Sequence, residues 1–574
     1  MSDRGNQRFK KRSICVESTI GMENPRAHKS QCYLGPLDDL SSGDLPRVTR
    51  MPSELREEQF ADIMLQSPLP HPYALLTFIS DTKMASSTTV NSEEYRPKHI
   101  EDRLFINGDF VPSISGKKFD IINPNTEKLA ASVYEGGVED VDVAVEAAKE
   151  ALPAWSALGA AERGAWLNNL ADAIEKNIKE IGYLDAISMG RPYIGDYLAG
   201  AAASFLRYFS SKALDVHGES SLNTTGMVNV TFRQPYGVCG AIIPWNVPLL
   251  SLVAKVGPAL AAGNTLVLKS SERAPLSAIV VARLCKEIGL PKGVLNILSG
   301  FGRPCGEAIA KHMDVRKLSF TGSVVTGRAI KKAAADSNLK NVTLELGGKS
   351  PLIIFDDADL AKAVPSAAYS ILSNSGQACI ASSRVYVHSK IADAFLEAMK
   401  TTMTKTGQPG DATVAGTSRG PQADKVQFDR VMSYISHAKE EGLDIPLGGN
   451  RIGSAGYFIE PTIISNAPED SKVVKEEIFG PVVVINTFTD EAEVLKRAND
   501  SEYGLYASVF TKDISRAMRF AKALEAGSVG VNCTSPTLAI DMPFGGYKQS
   551  GEGRELSKHC LDEWTEIKSV FISL

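Results

Sequence analysis

Cys379 lies in Asn374-Ser-Gly-Gln-Ala-Cys-Ile-Ala-Ser-Ser-Arg, a stretch of small residues through which backbone can approach a bound molecule closely. A cysteine is a nucleophile only as its thiolate, and an ordinary thiol pKa of ~8.5 means that an activating neighbour is needed. Upstream, Leu344-Glu-Leu-Gly-Gly-Lys-Ser-Pro places Glu345 between apolar residues at the end of a short apolar run. A half-buried carboxylate there has its pKa raised toward the range of a general base. Both residues also have plain structural uses: a lone cysteine is a small buried hydrophobe, and the acid can pair with a lysine.

Two further segments could hold a dinucleotide. Phe320-Thr-Gly-Ser-Val-Val-Thr-Gly sets Gly322 and Gly327 after a short apolar run and around the start of a helix-like segment, 328–335, so free backbone N–H groups could face a phosphate. This GxxxxG differs from the GxGxxG fingerprint and lacks the Lys-Ser/Thr of a P-loop; two glycines at any strand-to-helix turn would read the same way. Lys269-Ser-Ser-Glu follows another apolar run and offers an ammonium and, at Glu272, a carboxylate for ribose hydroxyls. The plain alternative is a polar helix start with Ser271 as its cap.

These residues need elements to position them. Residues 104–111, Leu-Phe-Ile-Asn-Gly-Asp-Phe-Val, predict two short strands around an Asn-Gly turn. Residues 138–184 predict two amphipathic helices. Gly240-Ala-Ile-Ile and Thr265-Leu-Val-Leu-Lys have the composition of buried strands, with a helix over 277–288 after the second. The alternation resumes with strands at 350–355, 384–388 and 482–488, so two α/β units with parallel sheets are expected.

The chain has 574 residues, more than one domain's worth. Lys+Arg total 62 against 67 Asp+Glu, a balance without the cationic footprint of a nucleic-acid binder. Eight cysteines lie far apart, with no CxxC or CxxH pair, the pattern of reduced thiols in the cytoplasm and not of a disulfide scaffold or a metal site; a mitochondrial location is the alternative. The apolar stretch 238–254 is broken by Pro244, Asn246 and Pro248 and is too short to span a bilayer, so no membrane partner is expected. Residues 1–100 mix Pro, Ser, Asp and Arg without an apolar period and read as a disordered extension with a short apolar element at 74–79. That segment is either a regulatory or targeting extension or, as preferred here, an over-extended start with the working protein beginning at Met84.

Taken together, these segments resemble the aldehyde dehydrogenase superfamily, of the non-acylating, hydrolytic type. Leu344-Glu-Leu-Gly-Gly-Lys is similar to its glutamate signature, Gly376-Gln-Ala-Cys to its cysteine signature and Ile243-Pro-Trp-Asn-Val-Pro to its oxyanion motif. Glu476-Glu-Ile-Phe-Gly-Pro-Val and Pro543-Phe-Gly-Gly-Tyr-Lys-Gln-Ser-Gly follow in the family's order. The resemblance runs from about residue 104 to the C-terminus. It implies a Rossmann-like NAD-binding domain (101–215 and 235–347), an α/β catalytic domain (348–550) and a β oligomerisation arm (216–234 and 560–574) that joins a homodimer or homotetramer.

Residue by residue, the resemblance implies Cys379 as nucleophile, Glu345 as general base, Asn246 as oxyanion donor and Lys255 with Glu555 as a proton-relay pair. For the cofactor it implies Lys269 and Glu272 at the adenosine ribose, Ser323 at the pyrophosphate, Glu477 with Phe479 at the nicotinamide ribose, and Ile243, Trp245, Gly302, Gly306, Gly322, Gly327 and Leu346 around them. A carboxylate at 272 repels the 2′-phosphate of NADP, so NAD is expected over NADP. Val247, Ser251, Ala254, Leu538 and Phe544 fall at the family's substrate tunnel. Small residues at 247, 251 and 254, and no fixed charge, suit a hydrophobic or aromatic aldehyde. A cysteine esterase on the same residues and a non-catalytic NAD-binding protein are the alternatives.

Overall fold

Strand Thr265–Ser270 is buried at all six positions and Val238–Ile242 at all five, as expected of parallel strands covered on both faces. In the computed structural model, residues 95–192 and 195–574 are described; the readings of the preceding chain, including 74–79 and the start at Met84, lie outside the described residues. Tyr95 and Ile100 already pack against the first hydrophobic core, which corrects the expectation that the extension reaches residue 100.

The first sheet has eight strands in the order Gly551–Glu552, Asn341–Glu345, Lys317–Thr321, Val238–Ile242, Thr265–Ser270, Leu295–Ser299, Leu104–Ile106, Asp109–Val111. The five from Asn341–Glu345 to Leu295–Ser299 are parallel, with antiparallel strands added at both edges. From Val238–Ile242 the chain moves outward through Thr265–Ser270 and Leu295–Ser299, then returns to the other side for Lys317–Thr321 and Asn341–Glu345. The crevice beyond the carboxyl ends of Val238–Ile242 and Lys317–Thr321 is therefore a topological switch point, where open α/β sheets take their ligands. At the opposite edge Asn107 and Gly108 both have positive φ, the geometry a two-residue hairpin turn requires.

The second sheet has seven strands, in the order Asp444–Leu447, Thr462–Ser465, Val482–Phe488, Arg384–His388, Pro351–Ile354, Tyr506–Phe510, Ser528–Val531. All are parallel except the first. The amphipathic pair expected over 138–184 is Val138–Ala157 and Ala160–Met189, each opened by an acid that accepts the backbone N–H three residues before it: Asp140 from Gly137 at 2.8 Å and Glu162 from Gly159 at 2.7 Å. A third long helix, Gly195–Lys212, packs against Ala160–Met189 and was not anticipated.

A separate ribbon joins Met227–Pro235 to the C-terminal strand Thr565–Ser573, antiparallel over nine residue pairs, with Ser220–Ser221 on its far side. The two pieces of the expected oligomerisation arm thus pair with each other within the chain. Among the described residues no strand pairs with the other edge of Thr565–Ser573, and Ile567, Phe571 and Leu574 along the tail are exposed.

Candidate active site

Glu345 is the last residue of Asn341–Glu345 and is only 4% exposed. Among the described residues its Oε1 has no hydrogen-bond partner. Burial, reinforced by the negative charges of Glu555 and Glu477, pushes its pKa up to about 8. The alternative role of an acid paired to a lysine is not what this carboxyl adopts: Lys255, itself buried, donates to Ser319 Oγ at 3.2 Å and forms its ion pair with Glu555. Glu555 in turn exchanges two backbone hydrogen bonds of 2.7 Å with Phe544, so a candidate tunnel residue fixes the acid that faces Lys255.

Cys379 approaches Glu345 from the second sheet, in the segment leading into Arg384–His388. Its thiol interacts directly with the Glu345 carboxyl, and burial together with the charges of Glu345 and Glu477 holds its pKa well above the ordinary value. Both groups are thus held toward their protonated forms, and the carboxyl, which ionises at about 8, is placed to interact with the thiol.

The path into Cys379 is unusual. After the helix Leu360–Leu372, three consecutive residues are left-handed: Asn374 at φ 49°, Ser375 at 56° and Gly376 at 73°. For the two with side chains this costs roughly 1 to 2 kcal/mol each, and neighbouring side chains hold the turn in place. Gln377 donates to Asn374 O at 2.9 Å and accepts from Ala423 N at 2.8 Å, while Gln422 donates to Ser375 O at 3.1 Å. At Gly376 a Cβ would lie 1.9 Å from Gly480 O, so glycine is required.

Asn246, 6% exposed, comes from the first sheet, at the switch point beyond Val238–Ile242. Its Nδ2 donates to Gln377 O at 3.0 Å, and its own carbonyl accepts from Asn374 Nδ2 at 3.0 Å and from Arg191 Nη1 at 3.4 Å. The asparagine and the cysteine loop are thus tied together by hydrogen bonds between the two sheets. Val247, Ser251 and Ala254 follow on one face of the helix Pro248–Ala261, with Ser251 and Ala254 buried. Phe544 packs with Ile380, Leu505, Tyr506 and Leu556, with Phe205 and Cys379 at the cluster's margin, whereas Leu538 is 44% exposed.

The remaining candidates gather at the same crevice and beside it. Ser323 caps the helix Val324–Ala335 by accepting from Thr326 N at 3.3 Å, leaving the Gly322–Ser323 turn at a helix N-terminus. A Cβ on Gly322 would meet the Phe320 ring and one on Gly327 would meet Leu346, so both glycines also serve close packing. Lys269, buried, donates to Gly300 O at 2.5 Å and Ser270 O at 2.8 Å, with Glu272 at 3.8 Å, and burial lowers its pKa. Gly302 and Gly306 bound the segment after Leu295–Ser299, with Gly306 lying against the Lys269 side chain. Ile243 N donates to Lys269 O at 3.1 Å. Ser271 does not cap a helix: the next one, Leu276–Glu287, begins after Pro275 and has no side-chain cap. Glu477 accepts from Gly348 N at 2.9 Å and burial raises its pKa to about 7; Phe479, at φ 62°, meets Trp245 edge-on at 5.4 Å.

The aldehyde dehydrogenase family matches residues 110–570, most of the chain. The chain belongs to the aldehyde dehydrogenase family. An aldehyde dehydrogenase of Emericella nidulans is 46% identical over 473 residues, 82% of this chain and 95% of that protein. Aldehyde dehydrogenase 1A1 of Mesocricetus auratus is 45% identical over 477 residues, with the same two shares. The structure of a Bacillus cereus aldehyde dehydrogenase in complex with NAD+ superimposes with a TM-score of 0.81 at 42% identity, covering 85% of this chain and 99% of that one. Membership makes the chain an oxidoreductase of the class that oxidises aldehydes.

Within this aldehyde dehydrogenase, sequence reasoning passed over Asn374, Arg191, Ser319, Thr321 and Phe205. Asn374 carried a signal, since asparagine tolerates left-handed φ better than most residues; Ser319 and Thr321 reach the Lys255–Glu555 pair through hydroxyls on strand Lys317–Thr321, and Arg191 and Phe205 through side chains from segments with no motif of their own. Among the described residues no helix is long and apolar enough to cross a membrane, and no cluster of ligating side chains is placed to hold a metal.

Proposed function

We propose that the chain oxidises a hydrophobic or aromatic aldehyde to the carboxylic acid, using NAD, through a covalent adduct on Cys379. The observation that carries this reading is the interaction between the Cys379 thiol and the buried carboxyl of Glu345, whose Oε1 has no hydrogen-bond partner among the described residues. The dinucleotide fits the crevice: a helix N-terminus at Gly322–Ser323 suits a pyrophosphate, with Lys269 and Glu272 beside it for the adenosine ribose and Glu477 and Phe479 for the nicotinamide ribose. The chemistry a bound nicotinamide supplies is acceptance of hydride.

The chain's own residues do the rest. Cys379 Sγ adds to the aldehyde carbon as its proton passes to the Glu345 carboxylate, and the resulting oxyanion lies between the Asn246 amide and the Cys379 backbone N–H. Such donors are typically worth ~10² to 10³ in rate. Once oxidation leaves a thioester on Cys379, Glu345 takes a proton from water, the hydroxide oxygen bonds to the acyl carbon, and the C–S bond breaks to return the thiol. Lys255 and Glu555 carry protons away from Glu345. Residues 101–215 and 235–347 serve the cofactor and 348–550 the substrate.

The test is NADH appearance at 340 nm over a panel of aldehydes. Hexanal and benzaldehyde should exceed acetaldehyde in kcat/KM, and NAD should exceed NADP by at least ~10-fold. Glu272→Ser should narrow that cofactor ratio, because it removes the carboxylate a 2′-phosphate would face. Equal or better turnover with NADP in the parent chain would overturn the cofactor assignment.

The exposed edge of Thr565–Ser573, lined by Ile567 and Phe571, supports assembly of two or four copies through this strand. Light scattering should give a dimer or tetramer mass; a monomer would remove this part.

A further inference from the structure

We infer that Asn374 is a positioning residue for the oxyanion site, one that aims the Asn246 amide at the reacting oxygen. This rests on the proposed use of Asn246 as oxyanion donor. The Asn374 Nδ2 group donates to two carbonyls at once, Asn246 O at 3.0 Å and Gln377 O at 3.2 Å. Gln377 O also accepts one N–H of the Asn246 amide, at 3.0 Å. Three groups are thereby locked together across the gap between the sheets: the Asn246 backbone, the Asn246 amide and the backbone two residues before Cys379.

With one amide N–H committed to Gln377 O, the orientation of the other is fixed by geometry rather than by thermal choice. The Asn374 amide cannot be turned around, because flipping it would set its oxygen against two carbonyl oxygens. Its Oδ1 is buried and partnerless, a desolvation cost that the arrangement of donors imposes. The residue also stands at φ 49°, which asparagine tolerates, so backbone and donors are served by one side chain. Loosening this lock by an ångström is enough to cost ~10²-fold in rate.

Two variants separate the donors from the backbone. Asn374→Gly keeps the left-handed conformation and removes both donors. Asn374→Asp keeps the shape but sets a carboxylate against the two carbonyls unless it is protonated. Both should lower kcat for aldehyde oxidation by ~10- to 100-fold at pH 8. Meanwhile, alkylation of Cys379 by iodoacetamide, which forms no oxyanion, should stay within ~2-fold of the parent. As the pH is lowered toward 5.5, the activity of Asn374→Asp relative to the parent should rise, since the acid form can donate again, while that of Asn374→Gly should not. Wild-type kcat in Asn374→Gly overturns the inference, as does a parallel fall in alkylation or the absence of any pH-dependent recovery. Asn246→Ala in the same assays distinguishes the underlying reading: if it too turns over at the parent rate, the oxyanion assignment fails, and if only it is slow, the role of Asn374 alone fails. The double variant should be no slower than Asn246→Ala, because both substitutions act through one group.

Discussion

Cys379→Ala should abolish aldehyde-dependent NADH formation, with kcat falling by at least ~10³-fold, because no other described thiol can take over the covalent step. Cys239, Cys285, Cys305 and Cys560 are buried, and burial is the main cause that raises their pKa values. Cys533 is half-buried but belongs to the segment after Ser528–Val531, away from Glu345 and Asn246 in every contact described. NAD binding, followed by quenching of protein fluorescence, should be unchanged in the variant. Loss of turnover with binding retained assigns the nucleophile; turnover within ~10-fold of the parent would remove Cys379 from the mechanism and the thioester with it.

Glu345→Gln should act later in the cycle. The amide can neither take a proton from water nor from the thiol, so steady-state kcat should drop by ~10² to 10⁴-fold, the usual worth of a positioned base. Where acylation persists, a burst of about one NADH per active site should precede the slow phase. In the parent chain, deacylation should rise with pH through about 8, where the Glu345 carboxyl ionises, and this limb should vanish in the variant. Stability runs the other way. A carboxyl whose pKa is raised on folding contributes stability that is fully present below the unfolded value near 4.5 and lost as pH rises through about 8. Between pH 6 and 9 the parent should therefore lose more Tm than Glu345→Gln. A deacylation rate flat across that range would exclude Glu345 as the base.

How much of this was legible in sequence follows from what each residue type can signal. Buried parallel strands write apolar runs, and Val238–Ile242, Thr265–Ser270 and Val482–Phe488 were found that way. The Asn107–Gly108 turn announces itself through its two left-handed residues. Helix Gly195–Lys212 was passed over although it carries an apolar face, because no motif or flanking strand marked it. Gly551–Glu552 is two residues long and enters the first sheet only through pairing with Leu344 and Glu345, which no local pattern can forecast. At the site, motifs located Cys379, Glu345 and Asn246, whereas the hydrogen bonds of Asn374 and Arg191 to a backbone carbonyl depend on distant segments meeting.

The first sheet is closed on one side by Gly551–Glu552, and Lys255 finds its acid only at Glu555. Both are made some two hundred residues after the strands they complete. On the ribosome, then, the earlier strands and helices can gather while one sheet edge still lies bare, and Lys255 lacks its ion-pair partner Glu555 until residue 555 is made. A message cut short, or a nascent chain stalled before residue 550, would yield a product holding the nucleophile and the base but neither the edge nor the acid that finish their surroundings. Synthesis past residue 555 is thus itself a checkpoint on the chemistry, and chains cut before it should be silent and prone to removal.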